Sequence, residues 1–86
     1  MHFLKALLLA VPAVYACGSN SYRCKNPNES IQEMYKVTKN ICDDLGEDTC
    51  WCRHWAEDYC DPNGDNIQKF KQKCQDKGEN WYWSEC

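Results

Sequence analysis

DTCWCRHWAEDYC, residues 48–60, carries Cys50, Cys52 and Cys60 together with Trp51, Trp55 and Tyr59, and the way it folds decides the architecture. Cys52, Ala56 and Cys60 recur at four-residue steps, Trp51, Trp55 and Tyr59 run alongside at the same spacing, and Asp48 or Thr49 stands where a helix cap is favoured. This spacing predicts a helix over residues 49–60 with a broad aromatic face. Upstream, Ser30 and Glu33 form a capping box, followed by Ile31, Met34, Tyr35, Thr38, Ile41, Cys42 and Leu45 at three- and four-residue spacing. A first helix is expected over residues 30–45, stopped by Gly46. Downstream, Asp61-Pro62-Asn63-Gly64 is a turn, and Asp65 or Asn66 begins a third helix through Ile67, Phe70 and Cys74 to Lys77, stopped by Gly78. Lys69, Lys73 and Lys77 are its solvated stripe.

The flanks complete the expectation. Residues 17–29 read as a polar loop pinned by Cys17 and Cys24, and residues 79–86 as an aromatic tail folded back onto the helices. The fold class expected from these segments is all-α, small and disulfide-rich: about three short helices stapled by up to four disulfides.

Residues 1–16 have the form of an export signal. One lysine, Lys5, precedes the apolar run Ala6 to Val14, and Val14-Tyr15-Ala16 ends in a small residue at the cleavage position. The apolar run is about half the roughly twenty residues that a bilayer span needs. Cleavage after Ala16 keeps the number of cysteines even, whereas cleavage after Gly18 would strand one thiol. Residues 17–86 then form a single secreted, extracellular domain.

That domain holds only Ile31, Val37, Ile41, Leu45, Ile67 and Phe70 as Leu, Ile, Val or Phe, too few to offset the entropy of ordering the chain. Disulfides must supply the difference. Cys17, Cys24, Cys42, Cys50, Cys52, Cys60, Cys74 and Cys86 allow 105 pairings, and their spacing leaves the choice open. On a helix, Cys50 and Cys52 would point to nearly opposite sides, so they are expected to bond to different elements. The lack of a Cys-x-x-Cys pair and the single histidine after residue 16, His54, argue against a zinc site. Loss of Lys5 takes the formal charge from −3 to −4, which disfavours a nucleic-acid binder or a cationic membrane-active peptide. Asn28-Glu29-Ser30 is an acceptor sequon for N-glycosylation.

Four local patterns bear on chemistry. His54, with Arg53, Glu57 and Asp58 near it, has residue types suited to general acid and base work. The run Cys50-Trp51-Cys52-Arg53-His54 faintly resembles the His-Asp helix of small secreted phospholipases A2, but Trp55 stands where that family has aspartate and no glycine-rich calcium loop precedes it. No catalytic residue is assigned, and the protein is expected not to be an enzyme. Asp61, Asn63 and Asp65 match the first three ligand positions of an EF-hand loop, yet Asn66 and Gln72 stand where the loop needs glycine and glutamate. No metal or cofactor is expected from these residues.

Cys42-x-Asp44-x5-Cys50-x-Cys52 resembles the centre of the fungal CFEM domain, a resemblance that implies a haem-iron ligand at Asp44. Tyr22-Arg23-Cys24 resembles the aromatic-x-Cys motif of fungal candidate effectors, and the chain as a whole is similar in composition to small secreted cysteine-rich proteins of host-associated fungi. The resemblance implies a secreted interaction protein, an effector concerned with virulence. Its partner is then a host or extracellular protein or glycan, met in the apoplast where the source colonises plants. Trp81, Tyr82 and Trp83 are the candidate binding surface, because three neighbouring side chains in an extended segment cannot all face inward. A monomer acting without nucleic acid or membrane is expected. A CFEM-like haem or small-ligand binder and an antimicrobial or toxin-like protein are the alternatives.

Overall fold

The computed structural model describes residues 15–86. The expected export signal therefore lies outside the described residues except for its last two, Tyr15 and Ala16. The elements run β1 (Tyr22–Lys25), α1 (Ile31–Asp44), β2 (Asp48–Cys52), β3 (Glu57–Asp61), α2 (Asn66–Gln75) and β4 (Tyr82–Glu85). The strands form one antiparallel sheet in the order β2-β3-β1-β4. That element order with that strand order is the split β-α-β pair of ferredoxin-like topology, so the fold is mixed α/β and the all-α expectation is corrected.

The correction lies in residues 48–61. They form a β-hairpin, with pairs running from Asp48↔Asp61 to Cys52↔Glu57. Period-two burial wins over the four-residue steps: Cys50 and Cys52 are buried on one face, while Thr49 is half-buried and Trp51 exposed on the other. Thr49, Trp51 and Tyr59 also suit a pleated surface better than a helix. At the tip, Ala56 takes a left-handed backbone conformation, φ 55°, and its N–H donates to the Cys52 carbonyl at 2.7 Å. Left-handed backbone normally calls for glycine or asparagine, so an alanine there conceals the turn.

The flanks carry two further strands. Part of the expected N-terminal loop is β1, and the aromatic tail is β4, paired with β1 from Tyr22↔Glu85 to Lys25↔Tyr82. Two helices stand close to their expected bounds. Ser30 caps α1, its hydroxyl accepting from the Glu33 N–H at 3.1 Å, and Gly46, at φ 70°, follows its end. α2 begins at Asn66 and stops at Gln75, short of Lys77.

Both helices lie on one face of the sheet. There Tyr22, Cys24, Val37, Ile41, Cys42, Cys60, Phe70 and Cys74 form the core, with Leu45, Ile67, Trp81 and Trp83 packed against it. Thr38 is fully buried in the same layer, and its hydroxyl accepts from the Cys24 N–H at 2.9 Å, tying α1 to β1. The opposite face carries a smaller cluster of Cys50, Cys52 and Tyr59, with Cys17 beside it.

All eight cysteines are paired: Cys17–Cys50, Cys24–Cys74, Cys42–Cys60 and Cys52–Cys86. Cys50 and Cys52 do bond to different segments, but from one face of a strand rather than from two sides of a helix. Cys24–Cys74 and Cys42–Cys60 tie each helix to the sheet. The other two bonds cross the opposite face.

Candidate functional site

The sheet is two ribbons. β2 and β3 share five residue pairs and β1 and β4 share four, whereas β1 and β3 meet only at Tyr22↔Cys60. Beyond that pair lies a cleft of about 200 Å³, lined by Arg23, Ile31, Tyr35, Trp51, Ala56, Glu57 and Asp58. Ile31 and Tyr35 lie four residues apart on one flank of α1 and form one wall. Trp51, Ala56 and Asp58, from the hairpin, form the other. Ile31 is 59% exposed and Trp51 36%, so apolar surface rims the opening.

At the cleft's inner side stands Arg23, 1% exposed. Its Nη1 is ion-paired with the Glu57 carboxylate, and its guanidinium lies 5.7 Å from the centre of the Tyr59 ring. Its Nε and Nη2 have no hydrogen-bond partner among the described residues. Those two nitrogens form one edge of the guanidinium, the fork that grips a carboxylate or other paired acceptor side-on. Leaving such donors buried and unmatched costs roughly 1–3 kcal/mol each, so an acceptor reaching them has that much to offset. The Tyr59 hydroxyl is also unpaired. Burial pushes its pKa up, the Arg23 charge opposes that shift, and Ser84 lies near the hydroxyl without forming a hydrogen bond.

The residues singled out in the sequence are distributed differently. Trp81 and Trp83 are half-buried against the helix-side core, Trp83 meeting the Tyr22 ring edge-on at 5.5 Å. Lys71 Nζ stands 4.1 Å from the centre of the Trp83 ring and 4.7 Å from that of Tyr22. Tyr82, 48% exposed, is the member of the trio that faces outward. His54 is exposed in the hairpin turn, edge-on to Trp55 at 4.9 Å, and lines no part of the cleft. Asp44 is exposed at the end of α1, also away from the cleft. Asn28 is exposed in the turn before α1, its N–H donating to Asn26 Oδ1 at 2.8 Å.

Asn63 is hydrogen-bonded to Glu47 and not to Asp61 or Asp65, and no group of three His, Cys, Asp or Glu side chains placed to hold a metal ion occurs among the described residues. Instead Asn63 and Asn66 turn toward Glu47. Its carboxylate accepts from the Asn63 N–H at 3.1 Å, Asn63 Nδ2 at 3.0 Å and Asn66 Nδ2 at 2.7 Å. These bonds, Asn66 first, hold the Glu47 carboxyl below its usual range. The polar turn is thus a latch joining the α1–β2 and β3–α2 connections.

Sequence reasoning did not select Arg23, Ile31 or Tyr35 as site residues. The only available signal was an arginine between Tyr22 and Cys24, an unusual neighbour for two core residues. Comparison with protein-family models, curated proteins and solved structures finds no match. Among the described residues no helix is long and apolar enough to cross a membrane. The chain is a small, cysteine-rich, disulfide-stapled globular protein.

Proposed function

We propose that this is a secreted interaction protein of the effector type, which holds a host or extracellular protein at the cleft between α1 and the β2–β3 hairpin and performs no chemistry on it. The observation that carries this reading is the pair of unmatched Arg23 donors beside an opening rimmed by Trp51, Ile31 and Tyr35. A desolvated arginine edge next to an aromatic anchor is the composition of a binding hot spot. His54 lies outside the cleft, exposed, with an aromatic ring as its close neighbour, which favours recognition over catalysis.

The test is capture from the extracellular fluid of a host by the oxidised protein, set against Trp51→Ala and Ile31→Ser variants. Loss of an anchoring tryptophan weakens binding by about 2 kcal/mol or more, roughly thirtyfold. Capture that survives both substitutions sinks the assignment of the cleft. A glycan eluted in place of a protein changes the class of partner. Arg23→Met made together with Glu57→Gln separates recognition from stability, because exchanging both members of a buried ion pair for neutral groups of similar volume is often neutral for folding, whereas removing Arg23 alone would strand the Glu57 carboxylate.

A further inference from the structure

The two ends of the β2–β3 hairpin differ in charge. At its base Asp48 pairs with Asp61, and Glu47, which precedes Asp48, is hydrogen-bonded to Asn63 and Asn66. At its tip Arg53 and His54 are exposed, and Lys25 reaches in from β1, its Nζ 4.7 Å from the centre of the Trp55 ring. Among the described residues neither Lys25 nor Arg53 is ion-paired with a carboxylate. The two acids nearest the tip in sequence are otherwise engaged: Glu57 is paired with Arg23, and Asp58 shares with Trp51 the face that lines the cleft. From Asp48 to Cys52 is four strand steps, about 13 Å, which exceeds the screening length of about 8 Å at physiological ionic strength. An anion at the tip therefore meets Lys25 and Arg53 with little opposition from the base, although the chain as a whole is acidic.

The same end of the sheet exposes two aromatic rings. Tyr22 and Cys24 belong to the helix-side core, so Lys25, next in the alternation, lies on the face away from the helices. Tyr82 is its cross-strand partner and shares that face. Tyr82 and Trp55 are each about half exposed. Lys25 thus stands between them, giving ring, cation and ring on an open surface. None of the three lines the cleft.

An aromatic face is electron-rich and stacks on the polarised C–H groups of a pyranose ring. A carboxylate makes a charge-assisted hydrogen bond to lysine or arginine. A chain of uronic acid repeats both features, with a C–H face and a carboxylate on every sugar. An acidic peptide has the carboxylates without the sugar faces, and a neutral saccharide has the faces without the charge.

We propose that Trp55, Lys25 and Tyr82, with Arg53 at the rim, form a binding site for an acidic saccharide of the uronate class. Trp55 and Tyr82 stack on sugar rings, and Lys25 holds the carboxylate presented between them. The site is separate from the cleft, and the inference stands without the cleft reading.

The test is an NMR titration of the oxidised protein with a tetramer of galacturonic acid, set against a tetramer of galactose and a tetramer of glutamate. The uronate tetramer should shift the Trp55 indole N–H and the Lys25 and Tyr82 amides to saturation, leaving the Trp51 indole N–H in place. Salt at about 1 M, where the screening length falls to about 3 Å, should weaken binding severalfold. Trp55→Ala and Lys25→Gln should each weaken it by about tenfold or more, with the Phe70 and Ile41 resonances unmoved as the sign of an intact core. Tyr82→Ala replaces either variant whose core resonances move.

The absence of a saturable shift at Trp55, an equal response to the galactose or glutamate tetramer, or unchanged affinity in the variants overturns the proposal. So do shifts centred on Trp51, Ile31 and Tyr35, which place the saccharide in the cleft. Failure of this site is thereby distinguished from failure of the cleft reading.

Discussion

The two faces of the sheet solve the same problem with different materials. On the helix side, Phe70, Ile41, Val37 and Tyr22 are buried around Cys24–Cys74 and Cys42–Cys60, so the disulfides there reinforce an apolar layer. On the other side, Tyr59 is buried among Cys17, Cys50 and Cys52, with no aliphatic side chain in the cluster and the charged Arg23 close by. There sulfur is the packing material as well as the crosslink. Covalent staples let a small chain keep a buried cation with unmatched donors, where an ordinary core of this size would fail for lack of apolar area.

Full reduction should erase the distinction and produce the largest effect. In the chain-entropy picture each bond contributes about 3–4 kcal/mol, comparable in sum with the whole stability of a small domain. Loss of the cooperative melt and of helical circular dichroism under reducing agent is expected; a domain that melts cooperatively when reduced would contradict it. Removing bonds singly sharpens the comparison. Loop closure alone assigns about 3 kcal/mol to Cys42–Cys60, with sequence separation 18, and about 4 kcal/mol to Cys52–Cys86, with separation 34. Because only the first is backed by apolar packing, the Cys52→Ala/Cys86→Ala variant should be the less stable by more than this gap in denaturant unfolding. Equal midpoints would show that the two faces are equivalent.

Ala56→Gly should move stability the other way. The substitution relieves a left-handed alanine at the hairpin tip, worth about 1–2 kcal/mol, against roughly 0.5–1 kcal/mol of extra unfolded-state entropy. A gain of about 0.5–1 kcal/mol is expected, read as a raised melting temperature. A loss would mean that the tip prefers a different backbone. The smallest effect concerns the Glu47 latch. Because the folded carboxyl titrates below its ordinary value of 4.5, the latch stabilises fully above that value, and its contribution fades as pH falls through the lowered folded value. Melting curves of the protein and of Glu47→Gln should therefore differ near neutrality and converge in acid. A difference that persists at low pH would place the effect elsewhere.

Legibility in the sequence followed how much each segment depends on its own residues. α1 was readable because the Ser30–Glu33 cap and the spacing of Val37, Thr38, Ile41 and Cys42 are local signals. α2 was readable for a similar reason, from Ile67, Phe70 and Cys74. The hairpin was not, because Cys52, Ala56 and Cys60 mimic a helical stripe and Ala56 stands where a turn glycine would have announced itself. β1 hides its alternation, since Tyr22, Arg23 and Cys24 are all buried. An alternating pattern needs one solvated face, and here sulfur closes both. The cleft depends on Arg23 meeting residues far along the chain, so Trp51, Glu57 and Asp58 drew attention in the sequence only for other reasons, an aromatic helix face and the neighbourhood of His54.

The turn residues Arg53 to Trp55 lie beyond the crosslinks that anchor the hairpin at Cys52 and Cys60, and all three are exposed. Surface replacements of this kind usually change stability by no more than about 0.5 kcal/mol. The anchoring positions and the tip are therefore under separate constraints. A chain that keeps the eight cysteines can therefore exchange those three residues without having to rediscover how to fold.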